Sequence, residues 1–193
     1  MSSTIQDYLA SGSPRRQELL TQLGYQFERA VVDVEECHQA GETPEQYVQR
    51  LAKDKALAGV AVTDGHTPVI GSDTIVVVDD TILEKPIDFN DAKRMLELLS
   101  GRKHQVMTAV TVATQDRQQT RLVITDVWFK TLSDNEIKNY WQSGEPQDKA
   151  GSYGIQGIGG KFIERIDGSY YAVMGLPLVE TDIMVQEFLS LSK

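Results

Sequence analysis

The sequence predicts an α/β fold built on a mixed, partly antiparallel twisted sheet flanked by helices. Three observations lead there. Val69–Val78 is a ten-residue strand pattern with a continuous apolar tail, as in a central strand covered on both faces. Capping-box patterns, Thr43 with Gln46 and Ser133 with Glu136, open two helices. Helical and strand patterns are interspersed without strict alternation, so parallel and antiparallel neighbours are both expected. The 193 residues suffice for one substantial domain or two small lobes.

The first strand end, Tyr8-Leu9-Ala10, runs into a loop, Ser11-Gly12-Ser13-Pro14-Arg15-Arg16. Ser13 can cap a helix that has Pro14 at its first position, Leu19, Leu20 and Leu23 on one face, and Gly24 as its stop. Arg15 and Arg16 then fall in the first turn, where the backbone N–H groups already carry partial positive charge. The mismatch costs about 0.3–1 kcal/mol and vanishes if an anion sits on the turn. A Ser/Gly bend, N–H groups and two guanidinium forks make a phosphate cradle. Two solvated arginines on a surface helix are the equal alternative.

Tyr25–Val32 reads as a strand, followed by the acidic cluster Asp33, Glu35 and Glu36. Such a cluster is either simply solvated or holds a divalent cation. The helix after Thr43 sets Tyr47, Val48, Leu51, Ala52, Lys55 and Ala58 on one stripe. Lys55 on that stripe either snorkels outward or reaches an anion. Asp73 interrupts the central strand, and a buried carboxylate is costly without a cation or strong donors. Gly71-Ser72-Asp73 also breaks strand propensity, as functional sites tend to do. Asp79-Asp80 reads as a two-residue turn, with Thr81–Glu84 returning, which lands Lys85 opposite Thr74 and beside Asp73.

A helix over Asn90–Leu99 turns Ala92, Met95, Leu98 and Leu99 inward and ends at Ser100-Gly101. Gln105–Ala113 and Thr120–Lys130 pair around a polar loop, and a helix spans Asp134–Ser143 up to Gly144. Asp148–Gly160 contains five glycines, which permit unusual backbone angles and close approach, but matches neither a Walker loop nor a dinucleotide fingerprint. Lys161–Ile166 and Ser169–Val173 read as strands around an Asp167-Gly168 turn. The last helix carries Leu178, Ile183, Val185, Phe188 and Leu189.

With 28 acidic against 19 basic side chains the formal charge is −9, which repels nucleic acid over most of the surface. The single cysteine, Cys37, excludes an internal disulfide and reads as a bystander thiol in a reducing cytosol. His38, His66 and His104 are scattered, which argues against a histidine zinc site. Apolar runs are too short to cross a bilayer, and no secretory pattern opens the chain, so a cytoplasmic protein without membrane contact is expected.

The oddly placed residues sort into cations (Arg15, Arg16, Lys55, Lys85) and carboxylates (Glu36, Asp73) able to share Mg²⁺ or Mn²⁺. Triphosphate chemistry needs both: a hard metal bridging phosphate oxygens and cations offsetting the remaining charge. A carboxylate near the reacting phosphorus can also orient or deprotonate water.

The stretches Leu9–Arg16, Leu51–Lys55, Gly71–Thr74, Glu84-Lys85-Pro86, Asp148–Gly157 and Gly175–Leu178 together resemble the Maf family of nucleoside triphosphate pyrophosphatases along nearly the full length. The resemblance implies one Maf-like domain over residues 1–193 with two lobes around a cleft, related to inosine triphosphate pyrophosphatases. It implies hydrolysis to the monophosphate and pyrophosphate with a divalent metal, and a homodimer. Asp73 resembles the family's catalytic carboxylate, and Ser11, Arg16, Glu36, Lys55 and Lys85 match its polar active-site set. We place Ser11, Arg16, Lys55 and Lys85 on phosphates, and Glu36 with Asp73 on metal and water; Glu35 adjoins Glu36, and a one-residue slip swaps them. Arg15, Thr74 and Gln156 match positions that sort the subgroups by base. Together they resemble the dTTP/UTP subgroup rather than the 7-methyl-GTP one, which usually has Trp after Ser-Pro and Glu at the Gln156 position. A side-chain amide both donates and accepts, as a uracil or thymine edge requires. The family's link to septum formation leaves a nucleotide-sensing regulator of division as the alternative to a house-cleaning enzyme.

Overall fold

The computed structural model describes residues 5–191. Seven strands and six α-helices follow in the order β1 (Asp7–Leu9), α1 (Pro14–Gln22), β2 (Phe27–Arg29), α2 (Pro44–Ala61), β3 (Val69–Val78), β4 (Thr81–Leu83), α3 (Phe89–Leu99), β5 (Lys103–Ala113), β6 (Gln118–Phe129), α4 (Asp134–Gln142), β7 (Ile163–Asp167), α5 (Tyr170–Met174) and α6 (Leu178–Ser190). Three short 3-10 segments lie between α4 and β7. The strand order is β2-β1-β3-β5-β6-β7, with β4 also on β3. β1 runs parallel to β2 and β3, whereas β3–β4 and β6–β7 are antiparallel, so the sheet is mixed as expected.

The chain divides into two compact units. The first takes the residues up to Asp73, Thr108–Val123 and those from Gly175 on. In it, α2 meets β3 at unusually short range. A Cβ on Gly71 would lie 2.4 Å from the Ala52 carbonyl and 2.5 Å from the Ala56 amide, and one on Gly59 would lie 2.5 Å from Val69. The capping box at Thr43 and Gln46 forms as expected and fixes where α2 begins. β2 is shorter than the strand expected over Tyr25–Val32, because its partner β1 offers only Asp7–Leu9 for pairing.

The second unit takes Thr74–Met107 and Ile124–Met174. Its core gathers Val76, Leu83, Met95, Leu96, Leu99, Phe129, Tyr140, Tyr153 and Phe162. Asp79 and Asp80 both have positive φ, +48° and +59°, as a tight two-residue hairpin turn requires. The ladder they start ends at Val76–Leu83, so Glu84 leaves the strand and Lys85 does not pair with Thr74. In α3 the inward stripe is Ala92, Met95, Leu96 and Leu99, the i, i+3, i+4, i+7 face, and the expected Leu98 is exposed. Within the expected strand Ser169–Val173, the residues from Tyr170 on are helical rather than extended. The Ser169 Oγ accepts from the Ala172 amide at 3.0 Å, a local cap that replaces strand pairing and opens α5. On α6, Ile183 is exposed, and Thr181, Met184, Val185 and Phe188 face inward.

Candidate active site

β1 delivers the chain into the Ser11–Arg16 loop: the Ala10 amide bonds to the Ile70 carbonyl at 2.8 Å, tying the loop's entrance to β3. Ser13 caps α1, accepting from the Arg16 amide at 3.4 Å, and its own amide donates to Ser11 Oγ at 3.1 Å. Arg16 is held twice. Its Nε donates to the Gly175 carbonyl at 2.7 Å and its Nη1 to Ser11 Oγ at 3.5 Å. Burial lowers the Arg16 pKa; the nearby Asp73 and Glu36 oppose that, and Arg15 adds to it. The guanidinium therefore sits, oriented and partly desolvated, in the field of two carboxylates.

Those carboxylates meet on one ammonium. Lys55 Nζ lies 2.8 Å from Asp73 Oδ1 and 2.9 Å from Glu36 Oε1. Asp73 is only 7% exposed, so its charge needs this partner. The missing side chain at Gly71 makes the arrangement possible. It lets α2 settle on β3 at Ala52 and Ala56, and Lys55, one residue before Ala56, comes level with Asp73, two residues after Gly71. Of the two adjacent glutamates, Glu36 is the one that reaches Lys55. Its segment is pinned to α2, where the Tyr47 hydroxyl donates to the Glu36 carbonyl at 3.3 Å and Arg50 Nη2 to the Cys37 carbonyl at 2.8 Å.

Ser11, Arg15, Arg16, Glu36, Lys55 and Asp73 thus all lie in the first unit. Thr74, half-buried and next to Asp73 in β3, begins the second unit, which also carries the exposed Lys85 after β4 and the exposed Gln156 in the glycine-rich stretch. The structure adds residues that pattern reading passed over. Arg29 Nε donates to the Ser11 carbonyl at 3.3 Å, a third guanidinium at the loop; a lone arginine in a short strand gave no signal of it. Ser72 Oγ lies 2.9 Å from both the Ala109 and the Gly175 carbonyls and braces the residue before Asp73. Gly175, with φ +124°, joins Arg16 and Ser72 through one carbonyl.

The donor set bears on a divalent cation. Two hard carboxylate oxygens converge within 3 Å of a single positive point, the Lys55 ammonium, and such oxygens suit Mg²⁺ or Mn²⁺. Among the described residues no group of three or more His, Cys, Asp or Glu could hold a metal.

The family model described as "Maf-like protein" matches residues 7–188. A dTTP/UTP pyrophosphatase of Photobacterium profundum is 76% identical, over 98% of this chain and all of its own length. A second, from Aliivibrio fischeri, is 68% identical over 95% of this chain and 98% of its own. A third, from Shigella sonnei, is 58% identical over 94% and 92%. Among solved structures, the Staphylococcus aureus Ham1 protein aligns over 64% of this chain and 71% of its own, with a TM-score of 0.48 and 16% identity. With the family model and full-length relatives in agreement, the chain belongs to the Maf-like protein family.

Proposed function

We propose that this chain hydrolyses dTTP and UTP to the nucleoside monophosphate and pyrophosphate. The Lys55 ammonium that cross-links Glu36 and Asp73 beside the Arg16 loop is the observation that carries the reading. The naming of the full-length relatives as dTTP/UTP pyrophosphatases supports it. Ser11, Arg16 and Lys55 engage the phosphate chain, and Lys85 adds a further cation. Asp73, its Oδ1 fixed by Lys55, orients a water and takes its proton as the water oxygen bonds to the α-phosphorus. The bond from the α-phosphorus to the bridging oxygen breaks, and pyrophosphate leaves with that electron pair. Glu36 and Asp73 would hold a divalent cation, Mg²⁺ or Mn²⁺, which would supply charge neutralisation to the triphosphate. Arg15, Thr74 and Gln156 read the base, with the Gln156 amide matching a uracil or thymine edge.

In this reading the chain is one Maf-like domain acting as a cytoplasmic homodimer on free nucleotides. The −9 charge opposes nucleic acid as a partner, and no helix among the described residues is long and apolar enough to cross a membrane. The test is pyrophosphate release from dTTP, UTP and 7-methyl-GTP with Mg²⁺ or Mn²⁺. Turnover of the pyrimidine nucleotides is expected, lost on chelation with EDTA and reduced about 10²–10⁴-fold by Asp73→Asn. No turnover by the wild type, or full turnover by Asp73→Asn, refutes the assignment. Tight nucleotide binding without cleavage would point instead to the regulator of division.

A further inference from the structure

The segment that carries Gln156 is clamped on either side of that residue. On one side of Gln156, the Gly154 amide donates to the Tyr140 hydroxyl oxygen at 3.2 Å. On the other, the Ile158 amide donates to Glu145 Oε2 at 2.8 Å and the Gly159 amide to Glu145 Oε1 at 3.0 Å. The clamp closes on itself, because the Tyr140 hydroxyl donates to Glu145 Oε1 at 2.6 Å. One carboxylate and one phenol thus fix three backbone amides, two residues before Gln156 and two and three after it.

The glycines explain how closely the pieces fit. A Cβ on Gly157 would stand 2.3 Å from Glu145 Oε2, one on Gly159 2.6 Å from the Tyr140 oxygen, and one on Gly154 2.7 Å from the Lys149 side chain. At positions 157 and 159 only a residue without a Cβ can lie this near the clamp. α4 supplies the frame. Tyr140 is buried near its C-terminal end against Phe162, with ring centroids 4.9 Å apart, and Gly144, at φ +79°, turns the chain so that Glu145 follows at once. Burial pushes the Glu145 pKa up, but the Tyr140 hydroxyl and the Gly159 and Ile158 amides outweigh it and leave the group below its ordinary value. The carboxylate is therefore ionised at neutral pH and saturated with donors.

We infer that Glu145 and Tyr140 are positioning residues for base selection: they lock the Gly154–Gly159 backbone and so fix where the Gln156 amide is presented. The inference rests on the reading of Gln156 as the base-reading residue. A side chain that must tell a uracil or thymine edge from a cytosine edge discriminates only if its donor and acceptor are held in place, because a mobile amide can turn to suit either. The clamp's bonds run between Tyr140, Glu145 and the backbone amides of the Gln156 segment, so its loss acts on the choice of base rather than on the chemistry.

The experiment compares kcat/KM for UTP and for CTP in the wild type, Glu145→Gln, Tyr140→Phe and Gln156→Ala, and in the Glu145→Gln/Gln156→Ala double variant. Thermal melting fixes the folded fraction, and inhibition by inorganic triphosphate reports the phosphate site. Glu145→Gln and Tyr140→Phe are expected to lower the UTP:CTP ratio about tenfold, mainly through KM for UTP. Triphosphate inhibition should stay within about twofold, and the double variant should be no less selective than Gln156→Ala alone. Tyr140→Phe keeps the buried ring, so it tests the clamp even if Glu145→Gln does not fold. A loss of selectivity in Gln156→Ala beside unchanged ratios in the clamp variants overturns this inference alone, as does an equal fall for UTP and CTP. Unchanged selectivity in Gln156→Ala overturns the base reading and this inference with it.

Discussion

The two units treat buried polarity in different ways. In the first, charges are set against one another: Lys55 stands between Asp73 and Glu36, and Arg16 is held beside them through Ser11 and the Gly175 carbonyl. In the second, buried polar groups are neutral or saturated. His104 lies among aromatic rings with its Nε2 2.6 Å from the Tyr153 hydroxyl oxygen, and Glu145 accepts from three donors. A charge network of the first kind is poised to exchange its internal partners for a ligand's charges. A saturated network fixes a backbone and gains nothing from a ligand. The first arrangement suits phosphate chemistry, and the second suits holding a segment in a single conformation.

Breaking the charged network should have the largest effect. Lys55→Met leaves two carboxylates facing each other without their shared cation and should lower turnover about 10²–10³-fold, measured as pyrophosphate release at saturating dTTP. Next comes the packing that creates the network. Gly71→Ala forces a Cβ into the backbone of α2 and should destabilise the protein by about 1–3 kcal/mol in urea unfolding, with activity falling further than the folded fraction accounts for. Activity that tracks the folded fraction would mean that the close approach of α2 serves stability alone.

pH sharpens the comparison further, because one buried titratable group in each unit, Asp7 and His104, acts with opposite sign. Asp7 in the first unit is fully buried, neither carboxylate oxygen has a hydrogen-bond partner, and desolvation raises its pKa from 3.8 to about 7. The fold favours the neutral acid, so its contribution is intact below about pH 4 and is lost as pH rises to about 7. His104 in the second unit is lowered by burial from 6.5 to about 3, with Arg102 adding to the shift and Asp126 opposing it. Its contribution is intact above about pH 6.5 and is lost as pH falls toward 3. Asp7→Asn should therefore stabilise by about 1–3 kcal/mol at pH 8 and by almost nothing at pH 4. His104→Gln should narrow the difference in stability between pH 7 and pH 4. Denaturant melts at the two pH values read both slopes, and an Asp7→Asn gain independent of pH would remove Asp7 as the cause.

The smallest effect belongs to the hairpin turn of the second unit. Asp80 holds φ +59°, which glycine adopts at less cost, so Asp80→Gly should raise the melting temperature slightly, by the equivalent of about 0.5–1 kcal/mol, without changing turnover.

Much of this was legible in the residues alone. Pro14 behind Ser13, the Thr43 and Ser133 capping boxes, and the apolar run of β3 set the starts of α1, α2 and α4 and the bounds of β3, because caps and burial on both faces are local signals. The misplaced aspartate and lysine were also visible, since each breaks the rule of its own element. Local reading failed where the deciding partner was distant or where a short cap competed with a strand pattern. β2 stops because β1 is short, and Ser169–Val173 coils because Ser169 caps it.

By itself, then, the sequence determined which residues are out of place and what chemistry their types can perform. Only the tertiary structure decided which of them meet. Lys55 reaches Asp73 because Gly71 admits the backbone of α2, Arg16 is aimed by a carbonyl 159 positions away, and Glu145 holds the Gln156 segment through amides that no side-chain pattern records. The physical reason is that periodicity reports which face a residue presents, whereas the distance between two faces depends on atoms contributed by both.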